Sequence, residues 1–241
     1  MSEHLKRMVA PKSWGISRKT NKFITKPSPG PHNSNALPAG VWLRDHMSFA
    51  RTKKEVKQIL RQRDMIVNGR ACRHFDMGIG IFDIIALPKI NKYYRIVRDR
   101  SGRHKTIEIT ETASQSRLAK ITNKTLLKGG RMQLNLRDGS NLIGDNTYKS
   151  RDSIEVSLKE GEVGKILDHF PFAVGNVAMV VDGRHSGSVG KIKEIIPVFG
   201  SVPNRVILTD LETEKEFETI DQYIIMVGRE QPAVLDWGID A

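Results

Sequence analysis

The sequence predicts an α+β multidomain protein in which a small helix–helix–hairpin unit, a central β-rich unit and a small β-barrel follow one another. Three observations carry this. A Thr-x-x-Glu string ahead of an apolar stripe marks a capped helix near residue 53. Short alternating runs punctuated by turn residues fill the chain from about residue 79 to 228. The excess positive charge is confined to one end. Residues 1–73 hold sixteen Lys/Arg against four Asp/Glu, and the rest of the 241-residue chain holds 23 of each, so the net charge of +12 lies entirely before His74. A field that strong and that local selects a polyanion as partner.

Residues 1–41 read as a basic extended arm. Pro27, Pro29, Pro31 and Pro38 interrupt any helix. Lys6, Arg7, Lys12, Arg18, Lys19, Lys22 and Lys26 face the single anion Glu3. Such a segment is expected to order against RNA phosphates, with Trp14 stacking or docking.

Residues 42–106 begin with the clearest local structure. Leu43 and Met47 lie at i, i+4 on a short first helix. Thr52 and Glu55 form the capping box, and Val56, Ile59 and Leu60 give the buried stripe behind it. Lys53, Lys57 and Arg61 repeat at i, i+4 with Lys54 adjacent, a spacing in which like charges repel. A helix that tolerates this faces something anionic. Asn68-Gly69 between short apolar runs is the strongest local signal of a hairpin, because both residues tolerate positive φ. Arg63, Arg70 and Arg73 flank it, and Arg44 and Arg51 lie on the approach to the helix.

Residues 107–171 read as a β-rich unit with one helix around Thr112 to Lys120. Turns at Lys128-Gly129-Gly130 and Arg137-Asp138-Gly139-Ser140 bracket a strand at Met132 to Leu136. Residues 172–228 read as a barrel. Glycines at 183, 187 and 190 allow a tight loop whose backbone approaches a partner closely, and strands follow at Arg205 to Thr209, Glu216 to Ile220 and Tyr223 to Val227. Arg184, His185 and Lys191 are the RNA-contacting candidates there. The tail 229–241 is acidic and is expected to be mobile unless Trp237 docks.

Other chemistries find little support. Gly161-Glu162-Val163-Gly164-Lys165-Ile166 and its echo at Gly187 to Ile192 lack the spacing and hydroxyl of a phosphate-binding loop. Cys72 and His74 are two ligands where zinc needs four. Glu212, Glu214, Glu216 and Glu218 read as a solvated face. No serine sits in a nucleophile elbow. The sequence therefore predicts no cofactor, no metal, no catalytic residue and no small-molecule substrate. The lone cysteine fits a reducing cytoplasm, the N-terminus carries no apolar stretch that would serve as a signal peptide, and the apolar run Val177 to Val181 is far too short to cross a bilayer, so no membrane partner is expected.

The strings Ala50 to Lys53, Glu55-Val56, Ile59-Leu60 and Ile66 to Gly69 resemble the S-four-type RNA-binding domain, which implies RNA binding without fixing one activity. The loop from Gly183 to Ile192 resembles the KOW motif of SH3-like barrels. The order of parts, with His4 to Arg7, Ala10 to Trp14 and Leu134 to Gly139, resembles the S-four-e family of small-subunit ribosomal proteins of archaea and eukaryotes over about residues 3–228. That resemblance implies a structural constituent of the small ribosomal subunit, in the cytoplasm, bound to small-subunit ribosomal RNA and to neighbouring ribosomal proteins. Its short C-terminus after the barrel leans archaeal. Two alternatives stand beside it. A pseudouridine-synthase-like RNA-modifying enzyme would need a Gly-Arg-Leu-Asp-like signature, and the nearest string, Leu43-Arg44-Asp45, lacks the glycine. A KOW-bearing elongation factor would leave the arm and the S-four-type strings unexplained.

Overall fold

The computed structural model describes residues 4–32, 35–159 and 161–231. The first segment is a hairpin of β1 (His4–Lys6) and β2 (Phe23–Thr25), joined through 3-10 turns at Arg7–Val9 and Lys12–Trp14. The extended arm is therefore corrected, because this segment folds back on the body. Ala10, Trp14 and Ile24 are buried in one core with Trp42, Leu43, Val56 and Leu60, and Leu5 and Ile16 pack against it. The sparse apolar residues of the segment supply a face that its cations hide from a reading of composition.

β3 (Leu37–Pro38) leads into a short helix α1 (Ala39–Val41), which runs on as a π-type turn at Trp42–His46. The helix α2 (Lys53–Arg61) begins where the capping box places it. The Glu55 amide donates to Thr52 Oγ1 at 3.2 Å, and the amides of Thr52 and Arg51 donate to the Glu55 carboxylate at 3.4 and 2.8 Å. Val56 and Leu60 are buried against the core. The hairpin of β4 (Ile66–Val67) and β5 (Arg70–Ala71) turns at Asn68 and Gly69, with φ of 49° and 77°. β6 (Gly78–Ile79) pairs with β3, while β7 (Ile84–Leu87), β8 (Lys92–Arg98) and β9 (His104–Ile109) complete a five-stranded antiparallel sheet with the hairpin.

The helix expected over 112–120 is also corrected. A single 3-10 turn at Ala113–Gln115 is followed at once by β10 (Ser116–Leu126). Arg117 through Ile121 are all buried, so this strand is covered on both faces and shows no period-two alternation to betray it. With β11 (Met132–Leu136), β12 (Asn141–Gly144), β13 (Ser153–Ser157) and β14 (Ile166–Phe170) it makes a second five-stranded sheet, in which the Gly-Gly and Asp138-Gly139 turns fall where the sequence puts them.

The third sheet, of β15 (Val177–Val180), β16 (Val189–Ile196), β17 (Arg205–Asp210), β18 (Glu216–Ile220) and β19 (Ile224–Gly228), carries the three expected C-terminal strands. Its order is β18-β17-β16-β15-β19. Polar side chains tie the sheets together. Lys120 Nζ, on β10, donates to the carbonyls of Asp221, Gln222 and Ile224 at 2.7, 3.2 and 2.7 Å, and Ser153 Oγ accepts from the Met226 amide. Phe82 from the β6–β7 turn, with Val97, Leu118 and Phe170 from the first two sheets, joins the apolar core of the third. The tail beyond residue 231, Trp237 included, lies outside the described residues.

Candidate nucleic-acid interface

The structure sharpens the charge asymmetry. From the first segment Lys6, Lys12, Lys19, Lys22 and Lys26 are exposed. From the α2 unit Arg51, Lys53, Lys54, Lys57, Arg61, Arg63, Arg70 and Arg73 are exposed as well. None of these thirteen lies within ion-pairing distance of a carboxylate among the described residues. Many cations of the later chain are matched: Lys92 by Glu108, Arg100 by Glu212, Lys165 by Glu162, Lys193 by Glu216, Arg205 by Glu218 and Arg229 by Asp168. The densest run of unmatched charge therefore sits on α2, its flanks and the N-terminal hairpin, while exposed cations such as Lys128, Arg131, Arg184 and Lys191 are scattered over the later chain. Lys53 Nζ lies over the Phe75 ring, 5.2 Å from its centroid. The capping box anchors the first turn of α2, so the row Lys53, Lys57, Arg61 is held in register before any partner arrives.

Three expected contact residues of the first two units serve the fold instead. Trp14 is fully buried and unavailable for stacking. Arg7 is buried, donates from Nε to the Ser17 carbonyl at 2.5 Å and lies 3.8 Å from Asp45. Arg18 donates to the Met8 and Ala10 carbonyls, closing the turn above Trp14. Arg7 and Arg18 have a common reason: a segment with few acids satisfies its backbone carbonyls with the guanidinium donors it has in excess. Arg44 stays partly exposed and pairs at 2.9 Å with the adjacent Asp45.

In the third sheet Arg184 and Lys191 are exposed, whereas the His185 ring stacks on Phe217 at 4.8 Å. The close approach expected of the glycine loop is made within the chain. A Cβ at Gly187, where φ is +83°, would lie 2.6 Å from the Asp99 carbonyl carbon. One at Gly190 would lie 2.6 Å from the Thr209 carbonyl oxygen. The acidic strand residues are engaged with cations rather than converging, and no metal-binding cluster occurs among the described residues. Cys72 is buried, and burial pushes its thiol up to about 11. Among the described residues no helix is long and apolar enough to cross a membrane.

A buried polar knot beside the hairpin escaped the sequence reading. Asp83, 2% exposed, accepts from Asn68 Nδ2 at 2.7 Å and from the Gly80 amide at 2.9 Å, and lies 2.7 Å from His32 Nε2. Asn68 Oδ1 in turn accepts from the Ile84 amide. Arg117 lies 4.0 Å from Asp83 and donates to Asp138 and to Ser140 Oγ. Burial opposes charge on both members of the His32–Asp83 pair, yet each stabilises the other's charged form, so the imidazole pKa is raised and the carboxyl pKa lowered. The one hint in the sequence was Asp138-Gly139, read there as a turn and as part of a family-like string, not as part of a buried network.

Three separate stretches of the chain match known families. Residues 1–35 match the RS4NT domain, residues 90–163 the ribosomal family S4e, and residues 174–209 the KOW motif. Similar proteins include the small ribosomal subunit protein eS4 of Methanospirillum hungatei, 64% identical with all of both chains covered. That of Methanocella arvoryzae is 42% identical over 96% of each chain. A crystal structure of the 30S ribosomal protein S4e from Thermoplasma acidophilum superposes with a TM-score of 0.69 at 24% identity, covering 83% of this chain and 99% of that one, which shows a common fold. No family that modifies RNA is among these, so the enzyme alternative is left without support. Full-length identity of this order shows that the chain belongs to the ribosomal S4e family.

Proposed function

We propose that the protein is a non-enzymatic structural constituent of the small ribosomal subunit, bound to small-subunit ribosomal RNA in the cytoplasm through the surface centred on α2. The observation that carries the reading is the row Lys53, Lys57, Arg61 with its unmatched neighbours, in the part of the chain where cations outnumber carboxylates four to one. Arg side chains would grip phosphates bidentately and Lys would act as point charges. The S-four-type unit begins at residue 42 in this reading, with the 4–25 hairpin as its buttress. The β-rich unit at 107–171 and the KOW-type barrel at 172–228 would offer Arg184 and Lys191 as secondary contacts, and the faces turned from RNA would meet neighbouring ribosomal proteins. The names of the full-length relatives support this assembly.

Sedimentation of native lysate through sucrose at moderate and high salt tests it. Stoichiometric migration with the small subunit, surviving high salt, is the expected result. Migration with free RNA, with polymerase or with no large particle would sink it. If about eight to ten of the thirteen free cations meet phosphates, the affinity of the isolated protein for small-subunit RNA should fall with a log–log salt slope of roughly −6 to −9.

A further inference from the structure

We propose that the cleft between the Asn68–Gly69 hairpin tip and the central sheet receives one unstacked base of the bound RNA, with the adjoining phosphate held by Arg70. The inference rests on the RNA-binding reading above and adds to it a site for a nucleotide. The cleft measures about 410 Å³, within the roughly 300–1,000 Å³ of pockets that enclose small organic groups. Its apolar lining is Leu142 and Leu158, both half-buried, with Val67 and Val156, each 2% exposed, beneath them. The accessible Leu142 and Leu158 side chains suit the face of a planar base.

The charge in the cleft decides the occupant. Asp83 is used by His32 and Asn68, and Asp138 by Arg117 and Ser140, so neither acid is free for a ligand. What remains is Arg70, exposed and without a carboxylate partner, and the exposed Asn141 amide, which makes no side-chain hydrogen bond to a described residue. A cation and an amide flanking an apolar slot match a phosphate, a base edge and a base face. An apolar peptide side chain would leave both polar groups without partners. A paired, stacked base cannot enter, so the site selects single-stranded or bulged RNA.

The test is an NMR titration of the full-length protein, labelled at Ile, Leu and Val methyls, with an adenosine hexanucleotide and, separately, with adenosine 5′-monophosphate. The hexanucleotide should shift the Val67, Leu142, Val156 and Leu158 methyls. Asn141→Trp, at the exposed rim, should abolish those shifts. Arg70→Ala, on an exposed strand end, should weaken the hexanucleotide about tenfold by removing one charge-assisted contact, and keeps the test alive should the Trp variant misfold. Shifts of α2 amides with the four methyls unmoved would overturn the cleft and leave the RNA reading standing. Absence of any shift, together with no affinity for small-subunit RNA, would remove both. Tighter binding of the mononucleotide than of the hexanucleotide would overturn the RNA assignment of the cleft in favour of a free nucleotide.

Discussion

His32 Nε2 lies 2.7 Å from Asp83 Oδ2, joining a proline-flanked turn near the N-terminus to the loop that enters β7. Because Asp83 also holds Asn68 at the hairpin tip, this single contact fixes the N-terminal segment and the hairpin relative to each other. It also makes the architecture of the cationic surface responsive to pH.

The sign follows from the two shifts. The raised His32 pKa means its contribution is complete below its unfolded value of about 6.5 and fades as pH rises through the folded value. The depressed Asp83 pKa means its contribution is complete above about 3.9 and fades as pH falls through the folded value. The pair therefore stabilises most between about pH 4 and 6.5. Thermal unfolding of wild type and His32→Gln across pH 5 to 9 should show a gap that narrows towards alkaline pH. A gap independent of pH would rule the ion pair out as its source.

What the sequence made legible was what is decided locally. Thr52 and Glu55 are three residues apart, and Asn68 and Gly69 are adjacent, so the start of α2 and the hairpin turn were readable from spacing alone. The partners of His32 and Trp14 are not local. Asp83 is 51 positions from His32, and Trp14 is buried beside Trp42 and Leu43, so nothing nearby announces that either is inside. β10 was hidden for a different reason, since burial on both faces erased its alternation. The candidate surface was half legible in the same sense: α2 showed its cations outright, while the structural use of Arg7 and Arg18 depended on turns formed ten and eight residues away.

Lys53, Lys57 and Arg61 changed together to Ala should weaken RNA binding and lower the magnitude of the salt slope by about two to three, one phosphate contact each. Folding stability should hold or rise slightly, because three like charges at i, i+4 spacing are removed from a helix face. Filter binding at several salt concentrations reads the first effect and urea unfolding the second. A folded triple mutant with unaltered RNA affinity would move the interface off α2.

Thr52→Ala separates the helix from its surface. The change removes the acceptor of the Glu55 amide and half of the capping box, and should cost about 1 kcal/mol in urea unfolding. Every cation stays in place, so the salt slope of RNA binding should be unchanged wherever the protein is folded.

Trp14→Phe and Trp14→Ala distinguish docking from stacking. With Trp14 fully buried, truncation to Ala should destabilise by about 3 to 5 kcal/mol, and Phe, which keeps most of the apolar volume, by clearly less. RNA affinity of the folded Phe variant should match wild type. A Phe variant that is stable yet binds RNA several-fold more weakly would show the indole reaching a base.

Gly187→Ala probes the contact between the third sheet's glycine loop and the turn at Asp99. Two costs coincide at this position. The backbone holds φ at +83°, which disfavours any residue with a Cβ, and the added carbon would lie 2.6 Å from the Asp99 carbonyl carbon and 2.7 Å from the Arg100 nitrogen. Neither neighbour is a flexible side-chain end, so relief requires the loop and the β8–β9 turn to separate. The left-handed conformation alone costs on the order of 1 kcal/mol or more, and the clash adds to it, so the variant should unfold at distinctly lower urea than wild type. Gly200→Ala is the control: its φ is also positive, at +103°, but nothing lies within 4 Å of the added carbon. A loss at Gly187 no larger than at Gly200 would mean that the loop does not press on the first sheet in solution.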